Sequence, residues 1–355
     1  MRTVHVPKFN KKEVYTSMKK IGVCVIGSGR AGMIHAENFV KNVPNARLAA
    51  MVDPVQETAK AACATLGIDT YYLDYRQALS DKNIDAVVIV TPTKFHVDIA
   101  VDAAKAGKHI LCEKPMAMTV EECQQMNKAA RDNKVALQIG FMRRFDAGFI
   151  HAKEMVDSGA IGDVVMVRSN TRGPSIPQPW MYDLKKSNGP LAEVNSHDID
   201  TLRWFTGSEF KTIYAIGGNF RSPAAKKDFP DFYDNVIVSA GFENGMQGMI
   251  DGAQGVGYAY DSRVEVLGTK GCIFIGRIND SAVLTCTADT KYGNYPLVSS
   301  WTKLFKDAYL AEDIAFIDSI INTTPPKVTG HDGEMAVKVV AAGNLSIVEK
   351  RIVEL

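Results

Sequence analysis

The glycine-rich turn Gly27-Ser28-Gly29-Arg30-Ala31-Gly32 constrains this chain more than any other segment, because it sits between an apolar run over Ile21–Ile26 and a helical period. Its glycines allow a tight turn, a close approach of backbone to a pyrophosphate, and close packing of helix on strand. The helix that follows points its unpaired N–H groups and positive dipole end at the phosphates. Asp53 stands 21 residues after Gly32, at the end of the second predicted strand. A carboxylate at that distance binds the adenosine ribose hydroxyls. It also repels a 2′-phosphate, and Pro54 rather than an arginine follows it, so the turn favours NAD over NADP.

From Ile21 to Gly140 short β-branched runs alternate with helical periods, the pattern of βαβ units on a parallel sheet. The predicted strands are Ile21–Ile26, Leu48–Val52, Thr70–Tyr72, Ala86–Val90, His109–Cys112 and Ala136–Ile139. A helix running to about Asn133 opens on a capping box formed by Thr119 and Glu122. The rhythm changes near residues 140–148. Beyond it the chain reads as α+β, with helices near Phe149–Ser158 and Glu193–Thr206. Strands over Lys211–Asn219, Asn235–Phe242, Met246–Ala253, Arg263–Leu267 and Cys272–Ile275 follow, in a largely antiparallel sheet. Helices around Leu304–Ile321 and Glu334–Glu349 close the chain. Asn244-Gly245 predicts a type I′ hairpin turn.

The 355 residues suffice for two domains of ~150 residues each, and 46% hydrophobic residues let both bury cores. With 41 Lys+Arg against 40 Asp+Glu, the chain has no basic field to gather nucleic-acid or membrane phosphates. Its longest apolar stretches, such as Ala86–Val90, fall far short of the ~20 residues that cross a bilayer. Residues 1–19 mix charges with Pro7 and Asn10 and lack the apolar core of a secretory signal, so they read as a flexible N-terminal arm. The six cysteines form no CxxC pair and have no histidine at metal spacing, which argues against disulfides and zinc and for a reducing cytoplasm.

Three further segments carry chemistry. Thr91-Pro92-Thr93-Lys94-Phe95-His96 follows the strand over 86–90, and ligands bind at the carboxyl ends of parallel strands; a plain strand-to-helix turn accounts for it about equally well. Glu113-Lys114-Pro115 ends the strand over 109–112. A lysine there can bind a substrate hydroxyl beside a nicotinamide and relay its proton, although a Lys-Pro pair at a strand end is more often a simple turn. Glu193, His197 and Asp200 fall at i, i+4 and i+7, so one continuous helix places two acids beside one imidazole. A carboxylate bonded to one ring nitrogen raises the basicity of the other, as a general base for an alcohol requires. A solvated helix start whose acids complement the dipole is the alternative.

Together, Gly27–Gly32, Thr91–His96, Cys112-Glu113-Lys114-Pro115, Gly140-Phe141-Met142-Arg143-Arg144-Phe145-Asp146, Glu193–Asp200 and Trp301 with Phe305, Ala308 and Tyr309 resemble the Gfo/Idh/MocA oxidoreductase family. The resemblance covers about Lys20 to Glu349 and is greatest to the inositol 2-dehydrogenase branch. It implies an α/β fold with an N-terminal NAD-binding Rossmann domain over 20–140. A C-terminal α+β domain over 141–355, built on an open, mostly antiparallel sheet, would bind substrate and form a homo-oligomer, either a dimer or a homotetramer.

By the same resemblance Lys114, His197 and Glu193 are catalytic, and Arg143, Arg172 and Tyr309 bind substrate. Gly27, Ser28, Gly29, Arg30, Ala31, Gly32, Asp53, Thr91, Thr93, His96, Glu113, Lys114, Arg143 and Trp301 would hold the cofactor, with Pro115 following a cis bond and no metal required. The implied reaction is NAD-dependent oxidation of a secondary alcohol on a cyclic, inositol-like polyol. Glu193 stands where inositol dehydrogenases usually carry Asp, and Thr171 where some carry a polar ring. A pyranose dehydrogenase or keto-sugar reductase of the same family is therefore a second expectation, and a non-catalytic dinucleotide-binding regulator a remote third.

Overall fold

In the computed structural model, which describes residues 20–287, 289 and 293–355, two sheets are built in succession. The arm expected over 1–19 lies outside the described residues. The first sheet comprises β1 (Ile21–Ile26), β2 (Ala46–Val52), β3 (Tyr71–Tyr72), β4 (Ala86–Ile89), β5 (His109–Glu113) and β6 (Leu137–Gly140). All its pairings are parallel, in the order β3-β2-β1-β4-β5-β6. Strands covered on both faces must be apolar almost throughout, and β4, Ala-Val-Val-Ile, is fully buried along its length. Each such Val or Ile stabilises the fold by ~1.5–3 kcal/mol.

Helices α1 (Arg30–Lys41), α2 (Gln56–Leu66), α3 (Tyr75–Ser80), α4 (His96–Lys105) and α5 (Val120–Asp132) make the crossovers. The Thr119–Glu122 capping box that starts α5 is present in both directions, worth ~1 kcal/mol. The order of the sheet reverses between β1 and β4, and the loops leaving β1, β4, β5 and β6 open at that carboxyl edge, where α/β sheets bind ligands.

After α6 (Ala147–Asp157) the second sheet begins with β7 (Val164–Gly173), a ten-residue strand absent from those predicted from the sequence. Three short or medium helices follow: α7 (Leu184–Ser187), α8 (Gly189–Glu193) and α9 (Ser196–Thr206). The remaining strands are β8 (Phe210–Gly218), β9 (Asn235–Phe242), β10 (Gln247–Gln254), β11 (Asp261–Gly268), β12 (Cys272–Ile275) and β13 (Val353–Glu354). The sheet order is β12-β11-β7-β10-β9-β8-β13, antiparallel except for the β7–β10 pair. Helices α10 (Trp301–Leu304), α11 (Lys306–Asn322) and α12 (Gly330–Glu349) lie between β12 and β13. Phe316 and Ile317 of α11 pack into the core of the first sheet, and Asp313 bonds to His35 and Asn38 of α1.

Two local expectations are corrected. The β9–β10 turn is a three-residue loop in which the Gly245 N–H bonds to the Phe242 carbonyl and only Gly245, φ +86°, is left-handed. That is a type I turn closed by a bulge glycine rather than a type I′ turn. The single helix expected over Glu193–Thr206 is broken at Val194 and Asn195. The Val194 and Asn195 N–H groups both bond to the Pro190 carbonyl, which closes α8 before α9 begins.

Candidate active site

The turn after β1 has the geometry its glycines demand. Gly27 adopts φ +110°, and a Cβ there would lie 2.5 Å from the Val90 carbonyl oxygen. At Gly32 a Cβ would meet the Gly27 carbonyl oxygen at 1.9 Å, so only glycine lets α1 sit this close to its strand. A Cβ on Gly29 would meet nothing within 4 Å, which leaves room for a ligand over the helix end. Asp53 lies beside the turn, its Oδ2 accepting from the Ser28 N–H at 3.1 Å and its Oδ1 from the Val55 N–H at 3.0 Å. Ser28 Oγ and Thr91 Oγ1 are buried without hydrogen-bond partners. Hydroxyls so placed fit a polar ligand.

A cleft of about 340 Å³ extends from this turn between the two sheets. Of the residues singled out from sequence, Arg30, Ala31, Thr91, Glu113, Lys114, Glu193, His197, Trp301 and Tyr309 line it. Lys114 follows β5 and precedes the cis bond to Pro115. Its Nζ donates to the Glu193 carbonyl at 2.7 Å, bridging a loop of the first sheet to the end of α8. Arg30 lies 6.0 Å from the Trp301 ring centroid, and Trp301 packs on Tyr309 at 5.7 Å.

His197, in the first turn of α9, packs edge-on against Phe141 with centroids 5.9 Å apart. Burial, then the positive charges of Lys114 and Arg143, hold its ring well below the usual imidazole range, so it is neutral. Burial also raises the Glu193 carboxyl, with Lys114 opposing. The expected pair of acids at His197 does not form: the break after Glu193 takes that residue out of helical phase with His197, and Asp200, on the same helix as His197, is engaged instead by Arg144, which donates to it at 2.5 and 2.9 Å. His197 Nδ1 is instead buried without a partner, so no carboxylate raises its basicity.

Several expected ligand contacts point elsewhere. Arg143 is 1% exposed, away from the cleft lining, and donates to Asp198 Oδ1 at 2.8 Å and to the hydroxyls of Thr171 and Ser262. Thr171 is buried in that network, and strand alternation sends the next residue, Arg172, to the opposite face of β7, where it pairs with Asp251. His96 presents Nδ1 to the Pro115 carbonyl at 3.0 Å and Nε2 to the Thr91 carbonyl at 2.8 Å, tying two strand-end loops together outside the cleft. Thr93 is buried in the short turn before it and is likewise absent from the lining.

The sequence reading missed the far wall. Gly173 and residues 175–178 form a strap along it, with Met142, Met181, Val194, Gln254 and Tyr260. Burial pushes the Tyr260 phenol up to about 12, leaving it a hydroxyl donor. The Gly-Pro pair at 173–174 marked a loop, but nothing local marked what the loop would face.

Residues 21–141 match the oxidoreductase family with an NAD-binding Rossmann fold, and residues 149–274 match the GFO/IDH/MocA C-terminal domain. The chain is 34% identical to myo-inositol 2-dehydrogenase of Thermotoga maritima, over 93% of this chain and 97% of that protein. It is 33% identical to the scyllo-inositol 2-dehydrogenase (NAD(+)) of Bacillus subtilis, over 92% and 94%. A crystal structure of scyllo-inositol dehydrogenase from Lactobacillus casei, with NAD(H) and scyllo-inositol bound, superposes with a TM-score of 0.86 at 29% identity, covering 95% of this chain and 99% of that one.

Proposed function

The chain belongs to the Gfo/Idh/MocA oxidoreductase family and is an NAD-dependent oxidoreductase, and from that premise we propose that it oxidises a secondary alcohol of a cyclic, inositol-like polyol to the ketone. The observation that carries this reading is the convergence of Lys114 and His197 on one cleft that continues into the glycine turn. Bound NAD⁺ supplies the acceptor for the carbinol hydride. The Gly29 opening, the Ser28 and Thr91 hydroxyls and Asp53 would hold it.

The protein's own groups handle the proton. Neutral His197 takes the hydroxyl proton, and Nε2 is the nitrogen that reaches the cleft, since Nδ1 is enclosed. Lys114 Nζ exchanges the Glu193 carbonyl for the substrate oxygen and holds its developing negative charge. Glu193 meets neighbouring polyol hydroxyls, and Tyr260 and Tyr309 line the same cleft. Thr171, which admitted a pyranose, lies away from the cleft and bears on neither substrate. We assign cofactor binding to residues 20–140, substrate binding to 141–355, and a homo-oligomer contact to the outer face of the second sheet.

The test is a panel of inositols and aldoses assayed for NADH production. Turnover on an inositol is expected, and Lys114→Ala and His197→Ala should each lower kcat by ~10²–10⁴ while NAD⁺ still binds. Turnover confined to a pyranose would overturn the polyol class, and unchanged rates in both variants would overturn the residue assignments.

A further inference from the structure

Behind the cleft wall lies a buried cluster that this reaction does not use. Glu312 of α11 has no exposed surface, and neither of its carboxylate oxygens has a hydrogen-bond partner. Glu312, His35 and Glu113 each bring one atom within 4.8 Å of the others. His35 Nδ1 meets Asp313 Oδ1 at 2.7 Å and Nε2 meets Glu113 Oε1 at 3.3 Å. The other Glu113 oxygen accepts the Lys114 backbone N–H at 3.0 Å, and Glu113 itself lines the cleft.

The titratable groups facing Glu312 are Glu113 from β5, His35 from α1, Asp200 from α9, and Asp313 and Tyr309 from its own helix. An unpaired carboxylate in such dry surroundings is strongly disfavoured, and of two carboxyls sharing a site one holds its proton. Burial first, then Glu113, holds the Glu312 carboxyl well above its usual range, with His35 opposing. Although burial disfavours a charged His35 ring, Asp313 and Glu113 together outweigh it. The imidazolium is thus already engaged on both nitrogens, and Glu113 is the acceptor left within reach of a Glu312 hydroxyl. One bridging water or a turn of the side chain spans the gap.

We propose that Glu312 and Glu113 form a proton-sharing acid pair at the back of the cleft, with the proton resident on Glu312, and that the pair releases it when a positively charged ring binds against Glu113. The release half rests on the proposed reading that the nicotinamide lies beside Lys114. The O–H bond of Glu312 breaks, the proton passes by way of Glu113 and the cleft to solvent, and the oxidised ring balances the charge left on the pair. The reduced ring is neutral and leaves the proton in place.

Two measurements test the pair. Infrared spectra of the ligand-free protein at neutral pH should contain a protonated carboxyl band that Glu312→Gln removes and Glu312→Asp shifts but keeps. Calorimetry in buffers of different ionisation enthalpy should find more protons released on binding NAD⁺ than NADH, and Glu312→Gln should abolish that difference while both nucleotides still bind. The pair is overturned by absence of the band, by no NAD⁺/NADH difference in the wild type, or by a difference that survives in Glu312→Gln. A divalent cation retained in stoichiometric amount would overturn it equally, because Glu312 would then be an ionised ligand. A wild type that binds neither nucleotide would refute the proposed function instead, and the infrared bands would still decide where the proton resides.

Discussion

Arg143 and Arg172 carry the same charge to opposite fates, and substitutions at the two should part accordingly. Arg143→Met leaves Asp198 buried without its counter-charge, which costs ~3–5 kcal/mol and should appear as a lower urea midpoint. Arg172→Ala removes a half-exposed pair with Asp251 on the outer face and should leave both stability and substrate KM close to wild type; a large rise in KM would return Arg172 to the substrate site. His197 gives a pH signature. Its folded value lies below the 6.5 of the free side chain, so between the two the unfolded chain binds more protons. The stability it contributes is present above about pH 6.5 and lost on acidification. Thermal melts should fall more steeply below that pH in the wild type than in His197→Asn, and parallel slopes would contradict a buried neutral ring.

At the scale of elements, the turn after β1 can be dissected by adding single methyl groups. Gly29→Ala meets no protein atom within 4 Å, so it should melt like the wild type yet bind NAD⁺ more weakly. Gly32→Ala drives a Cβ into the Gly27 carbonyl, an overpacking that costs ~1–3 kcal/mol, and should lose both stability and nucleotide binding. Equal affinities for NAD⁺ in Gly29→Ala and the wild type would remove the turn from the cofactor site. The parallel half was legible because its signals are local: apolar strands, the glycine spacing and the Thr119 cap each act within a few residues. Lys114, Glu193 and His197 could be placed in one cleft only through the family resemblance. What escaped was set by distant contacts. The break after Glu193 follows from N–H groups turning back to Pro190, and Asp200 is claimed by Arg144, 56 residues away. The inward direction of Arg143 depends on Asp198 and Thr171, 55 and 28 residues away.

Across the whole molecule, the chain crosses between the sheets more than once, since α11 lays Phe316 and Ile317 against the first sheet before β13 returns to pair with β8 at the edge of the second. The outer face of that second sheet carries Ile216 and Ile237, cross-strand neighbours with 58% and 46% of their surface exposed. Apolar pairs so placed suit a partner surface, and Ile216→Glu with Ile237→Glu should reduce the mass seen by light scattering; a wild type that scatters as a single chain would refute that contact. A different linkage runs through the middle. The main-chain oxygen at the end of α8 holds the Lys114 amine across the gap between the halves. On the proposed reading an arriving alcohol would compete for that amine, so each turnover would begin by untying this stitch between the halves, and recognition of the substrate would also be a loosening at that point.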